Sequence, residues 1–402
     1  MATSSPKFLN INEPAPAPAA PAGFALWALG FRPFYLLAAT FAALSVPLWV
    51  AQYAGWLPWA PLRSPAWHGH EMLFGYALAV VTGFLFTAVR NWTAQPTPTG
   101  GWLAACAALW VAGRILVLTP WGVAAAIVNA AFPLAVAVGI GIPLAKSGNR
   151  RNYFFVVLLA AMSVAILLLH LAELGLVAWP ERVSLKAGQD VFLFIVAVMG
   201  GRVIPMFTNN GVPGTQARRL PLLERVSLGS LLALLAADLL QAHGVVLAMI
   251  AGVAAVAHAW RLVLWQPLRT LRTPLVWVLH VAYGWIAVHL LLRALAALEW
   301  VVEPLATHAL TLGVIGGMTI GMMTRTARGH TGRPLRADRY EVAAYLLVLA
   351  AAVARVAGGL ALPMFYGGTV VVSGLCWSAG FAVYFVRYWP VLTRPRLDGK
   401  PG

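Results

Sequence analysis

A chain of 402 residues that is 61% hydrophobic and 10% charged is not built as a water-soluble protein, since soluble domains carry about 25% charged residues and much of any folded surface faces solvent. The formal charge of +16, from 28 Lys and Arg against 12 Asp and Glu, falls in short gaps between apolar runs, where lipid headgroups and topology account for it and no nucleic acid is needed as a partner. Cys106 and Cys376 both lie inside apolar runs, form no CxxC or disulfide framework, and read as small buried hydrophobes.

Residues 1–23 hold a lone Lys7 and a Pro/Ala tract from Pro14 to Pro21. This is no signal peptide; it reads as an extended or disordered cytoplasmic leader. A membrane span needs about 20 mostly apolar residues. Candidate spans fall near 26–50, 67–89, 101–118, 121–145, 153–177, 187–207, 222–242, 245–265, 275–297, 304–323, 340–361 and 366–389. The fold class is therefore an all-α integral membrane protein of about twelve transmembrane helices. Residues 24–390 form one polytopic domain and 391–402 a basic cytoplasmic tail. Spans three and four, and seven and eight, are joined tightly enough for helical hairpins.

Positive charge alternates along the connections. Lys146, Arg150 and Arg151 follow span four; Arg218, Arg219 and Arg225 follow span six; Arg269 and Arg272 follow span eight; Arg325, Arg328, Arg333, Arg336 and Arg339 follow span ten. The connections between them are poorer. This positive-inside pattern places both termini in the cytoplasm and supports an even number of spans.

Polar groups inside a bilayer are costly, so each needs a reason. Nine histidines stand out against few carboxylates near or within spans: Glu71, Glu173, Asp190 and Asp238. Coupled transporters usually rely on buried acids. A histidine-rich, acid-poor interior suits a metal or haem, because neutral imidazole is a good ligand for iron and copper.

Trp67-His68-Gly69-His70-Glu71-Met72 opens span two. Residues two apart on a regular helix point about 200° apart, so His68 and His70 face two different places unless the first turn is distorted. Glu71 can orient an imidazole as an acceptor; the plainer alternative is an interfacial polar helix start. His308 opens span ten, ahead of Gly313, Gly317 and Gly321. That four-residue ladder lets either another helix or a flat macrocycle come close. In span nine, His280 sits among Trp277, Tyr283 and Gly284, with His289 on nearly the opposite face. His170 and His258 are single intramembrane histidines, each with a hydrogen-bonding reading beside a metal-ligand reading. Arg202 lies about a turn inside the end of span six, before Pro205, which is expected to kink or end the helix. Arg202 reads as a snorkelling side chain or as the partner of an anion such as a haem propionate.

Four blocks in this order resemble the NnrS family: Gly30-Phe31-Arg32-Pro33-Phe34, Trp67 through Met72, Gly201-Arg202-Val203-Ile204-Pro205-Met206-Phe207-Thr208-Asn209, and His308 through Gly332. The resemblance covers essentially the whole membrane region. It implies a bacterial inner-membrane protein containing haem, expected as b-type, and copper, linked to denitrification and the nitric oxide response. His68, His70, His170, His280 and His308 are the candidate metal ligands by position and chemistry. His68, His70, His308 and Arg202 are the candidates for holding the cofactor, with Glu71 behind the ligands. At the level of fold the chain is also similar to the catalytic subunit of haem–copper oxidases and nitric-oxide reductases, where histidines of spans two and ten hold a haem together. By that analogy His68 or His70 pairs with His308. The chain departs from that pattern in lacking an adjacent His-His pair and a matching histidine in span six.

The function expected from these residues is a redox protein of nitric oxide metabolism or tolerance, with nitric oxide as ligand and a respiratory electron donor. The alternatives are a transporter of a metal, haem or small anion, and a non-catalytic assembly partner of a respiratory complex.

Overall fold

A computed structural model describes residues 23–57 and 65–400. All but the last residue of the expected leader lies outside these bounds. With no water in the hydrocarbon region, each backbone N–H and C=O must be satisfied within its own segment, and every expected span is a helix. There are twelve among the described residues, with no strand. They are α1 Phe31–Tyr53, α2 Ala66–Thr93, α3 Gly100–Leu116, α4 Gly122–Lys146, α5 Phe154–Glu173, α6 Glu181–Gly211, α7 Pro221–Leu239, α8 Gly244–Leu264, α9 Pro274–Ala297, α10 Glu303–His330, α11 Arg339–Ala361 and α12 Tyr366–Thr393.

Ten helices are long and apolar enough to cross a bilayer. α3, at 17 residues, is short. α7 carries Glu224, Arg225 and Asp238, and two of these charges are matched from neighbouring helices: Glu224 by Arg261 of α8 and Asp238 by Arg293 of α9. The expected hairpins α3–α4 and α7–α8 both form. α6 continues six residues beyond Pro205, so that proline does not end the helix. A missing N–H is tolerated in such a packed setting because neighbouring groups take up the freed carbonyl.

The helices are not equivalent. The most buried spans are α2, at 83%, and α6 and α10, at 72% each. They recur every fourth helix and touch one another at the centre, while the others surround them. α2 and α10 share another feature. Each carries a π-helical stretch, Glu71–Ala77 and Ala309–Gly316, that begins directly after a candidate histidine, His70 and His308. Such stretches are rare, re-aim side chains and concentrate at functional sites.

The glycine ladder of α10 is used for helix packing. A Cβ on Gly313 would lie 2.4 Å from the Trp285 ring, one on Gly317 2.9 Å from Ala282, and one on Gly321 2.8 Å from Leu279. All three neighbours are on α9. At the end carrying the termini, buried Arg32 donates to the carbonyls of Leu392 (2.9 Å) and Arg394 (2.7 Å), which ties the start of α1 to the end of α12.

Gly313→Val should therefore drive α9 and α10 apart, at about 1–3 kcal/mol for overpacking. Gly229→Ala, whose Cβ meets nothing within 4 Å, should be neutral. Thermal melts of the two variants in detergent check this; equal melting temperatures would contradict the packing role.

Candidate functional site

The end of the bundle opposite the termini, called here the far end, holds a cavity of about 1660 Å³. It exceeds the roughly 300–1,000 Å³ of ordinary small-molecule pockets. His68 of α2 and His308 of α10 both line it, as do Trp49 of α1, Arg293 of α9, Arg355 of α11 and Trp377 of α12.

His308 donates from Nδ1 to the Pro304 carbonyl at 2.7 Å. That bond places the proton on Nδ1 and leaves Nε2 as a lone pair for the cavity, the arrangement seen when a second hydrogen bond fixes a metal-binding imidazole. His68 stacks on Trp49, with ring centroids 4.2 Å apart and planes 19° from parallel. Its Nδ1 is buried without a partner. Arg355 lies 4.4 Å over the Tyr366 ring and donates to the Tyr366 hydroxyl, while its other terminal nitrogen and the Trp377 indole N–H are both buried and unsatisfied. Each unmade buried hydrogen bond costs about 1–3 kcal/mol, and native proteins hold few. Two imidazoles on one cavity, apolar sides and a guanidinium with a free donor suit a flat, largely apolar cofactor bearing an anionic group. The residues present fit a haem.

His70 leaves this cavity alone, as the two-residue spacing requires. It is buried and turned toward His170 of α5; the two Nε2 atoms are 3.1 Å apart. Behind them, His70 Nδ1 lies 2.7 Å from Glu71 Oε1 and His170 Nδ1 lies 3.4 Å from Glu173 Oε2. A carboxylate only accepts, so His70 donates from Nδ1 to Glu71 and its Nε2 is left as an acceptor facing His170. The His170 Nε2–H can donate to that lone pair, or a metal ion can take its place between the two nitrogens. A single ion can touch both, because metal–imidazole bonds are about 2.0 Å. Among the described residues no three of His, Cys, Asp and Glu converge as a closed metal site, so the protein supplies two nitrogens here.

Glu71 is fully buried and is held by Arg114 of α3, whose NH1 lies 3.0 and 3.1 Å from its two oxygens. Arg114 also donates to Asn129 of α4. Gly75, within the π-helical stretch, leaves room for this guanidinium, since a Cβ there would sit 2.4 Å from NH1. Its carbonyl accepts from the Trp110 indole at 3.0 Å. A second charge cluster, buried around Arg293 and exposed at Glu303, borders the cavity. Arg293 donates to Asp190 (2.7 Å) and Asp238, and Lys186 lies 2.8 Å from Glu303.

The remaining candidates lie elsewhere. The ring nitrogens of His280 face the carbonyls of Val276 and Trp265 and the Thr208 hydroxyl. His258 contacts the Tyr283 hydroxyl and the Ser227 carbonyl. Arg202 donates to Asn152 at 2.7 Å, in the half of α6 nearer the termini, so it is not brought to the far-end cavity. Sequence reasoning passed over Arg114 and Arg355. The available signal was an arginine near the charge-poor end of an apolar span, where it needs a buried partner.

The fold and this site define a multi-span helical membrane protein whose central helices carry paired intramembrane histidines. The chain belongs to the NnrS family: the family model described as NnrS protein matches residues 25–396. Comparison with curated proteins found no match.

Arg114→Met leaves Glu71 buried and uncompensated, which should cost about 3–5 kcal/mol. Adding Glu71→Gln should recover part of that loss. Thermal melts of the single and double variants check it; a single variant as stable as the parent would contradict the pairing.

Proposed function

We propose that the protein is a haem- and copper-binding membrane protein that acts in nitric oxide metabolism, tolerance or response, in the setting of denitrification. The observation that carries this reading is the presence of His68 and His308 on one cavity, with His308 Nδ1 tied to Pro304 and the free donor of Arg355 lining the same cavity. Membership of the NnrS family supports the link to nitric oxide.

A b-type haem would be held by His68 and His308, with Arg355 beside its carboxylates. Copper would sit on His70 and His170, which Glu71 and Glu173 orient. Ferrous haem supplies, when bound, an iron that takes nitric oxide as a ligand. The protein's own part is to fix the imidazoles, neutralise the anionic edge and keep the surroundings apolar. Nitric oxide is small, uncharged and lipid-soluble, so it needs no polar channel. A haem held by both His68 and His308 would suit electron transfer with a respiratory donor, and one held by a single histidine would suit ligand chemistry. The basic connections lie at the end with the termini, so the positive-inside rule sets that end in the cytoplasm of the bacterial inner membrane. The cavity then opens on the opposite face.

The size of the cavity and its opening to one side also favour a second reading, a transporter of a metal, haem or small anion. Tight retention of iron and copper through purification separates the two.

His68→Ala and His308→Ala should each lose most of the haem iron, whereas His243→Ala, at the exposed rim, should keep it. His70→Ala and His170→Ala should lose copper, and Glu71→Gln should lower copper retention in a folded protein. Metal analysis of the purified variants decides. Haem content equal to the parent in His68→Ala and His308→Ala would remove the cavity from the account.

A further inference from the structure

The end that carries the termini has its own cavity, of about 310 Å³, between the last turns of α2, α6 and α10. Phe84, Trp92, Met199 and Met322 give it apolar walls, and Arg325 and His330 of α10 give it a basic side. No acidic residue lines it. The Arg325 guanidinium lies 3.7 Å from the centre of the Phe207 ring. Such a stack holds the plane of the group while leaving its N–H edge free. Arg32, Arg114, Arg261 and Arg293 all meet a carbonyl or carboxylate of the protein. Arg325 meets none among the described residues.

We propose that this cavity binds the phosphate head of an anionic phospholipid from the leaflet at that end. A guanidinium held over an aromatic ring on the wall of an acid-free cavity can offer two N–H groups to two phosphate oxygens in fork geometry. The volume suits a headgroup rather than a whole lipid. Met206 and Leu335, both exposed at the mouth, offer apolar surface along which acyl chains run outward into the bilayer. Basic pockets between spans on the charge-rich side recognise acidic lipid heads in this way. Snorkelling alone would set the charge of Arg325 in water and leave no reason for the cavity.

Native mass spectrometry of the full chain in mild detergent tests this, with phosphatidylglycerol, phosphatidylcholine or inorganic phosphate added. The parent should retain one phosphatidylglycerol and little phosphatidylcholine. Arg325→Gln should lower that retention about tenfold, as loss of a charge-assisted bond predicts. Gly329→Leu should lower it too, by narrowing the mouth without touching Arg325; a Cβ at Gly329 meets only Leu335, at 3.8 Å. Circular dichroism confirms that both variants are folded. Parent-level retention in Arg325→Gln, equal retention of the two lipids, or binding of inorganic phosphate without lipid would each overturn the proposal.

Discussion

Glu71 is a carboxylate with no exposure inside an apolar span, and the far end of the bundle is organised around pairing it. Arg114 of α3 supplies the countercharge, Asn129 of α4 steadies Arg114, and His70 takes an oxygen through Nδ1. The resulting direction of His70 aims its other nitrogen at His170 of α5. One buried charge thus links four helices, through groups that are each costly in lipid unless paired. The same constraint explains Arg293 between Asp190 and Asp238 and the gathering of charged groups at the rim of the cavity.

Two adjacent sites follow from this arrangement. A helix that opens with histidines two residues apart sends them to different sides, so α2 serves both sites. His68 joins His308 across a cavity large enough for a macrocycle, while His70 joins His170 in a compact pair backed by carboxylates. α10 repeats the device, with a histidine at its first turns and a π-helical stretch behind it. The two helices bring their histidines to one cavity although 240 positions separate them.

Much of this was legible in the sequence, for a physical reason. Lipid as a solvent demands long apolar helices, so hydropathy and the alternation of Lys and Arg locate them: all twelve expected spans are helices, ten of them long and apolar enough to cross a bilayer. The divergence of His68 and His70 followed from helical geometry alone. What could not be read was partnership between distant spans. Nothing in local spacing joins His70 to His170, a hundred residues on, or Arg114 to Glu71. The four-residue glycine ladder admitted either a macrocycle or a helix, and only the position of Trp285 decides for the helix. Arg202 shows the converse limit: its anion-pairing chemistry was plausible, yet it lies in the half of α6 nearer the termini and donates to Asn152. Pro205 was expected to kink or end α6, and the helix runs on to Gly211.

The central claim is that the far-end cavity is a haem site open to nitric oxide. The most direct measurement is the visible spectrum of the purified protein in detergent, oxidised and then reduced, before and after nitric oxide. The account predicts a b-type haem spectrum whose reduced bands shift on adding the gas. A well-folded preparation, made with haem available, that shows no haem absorption would contradict it.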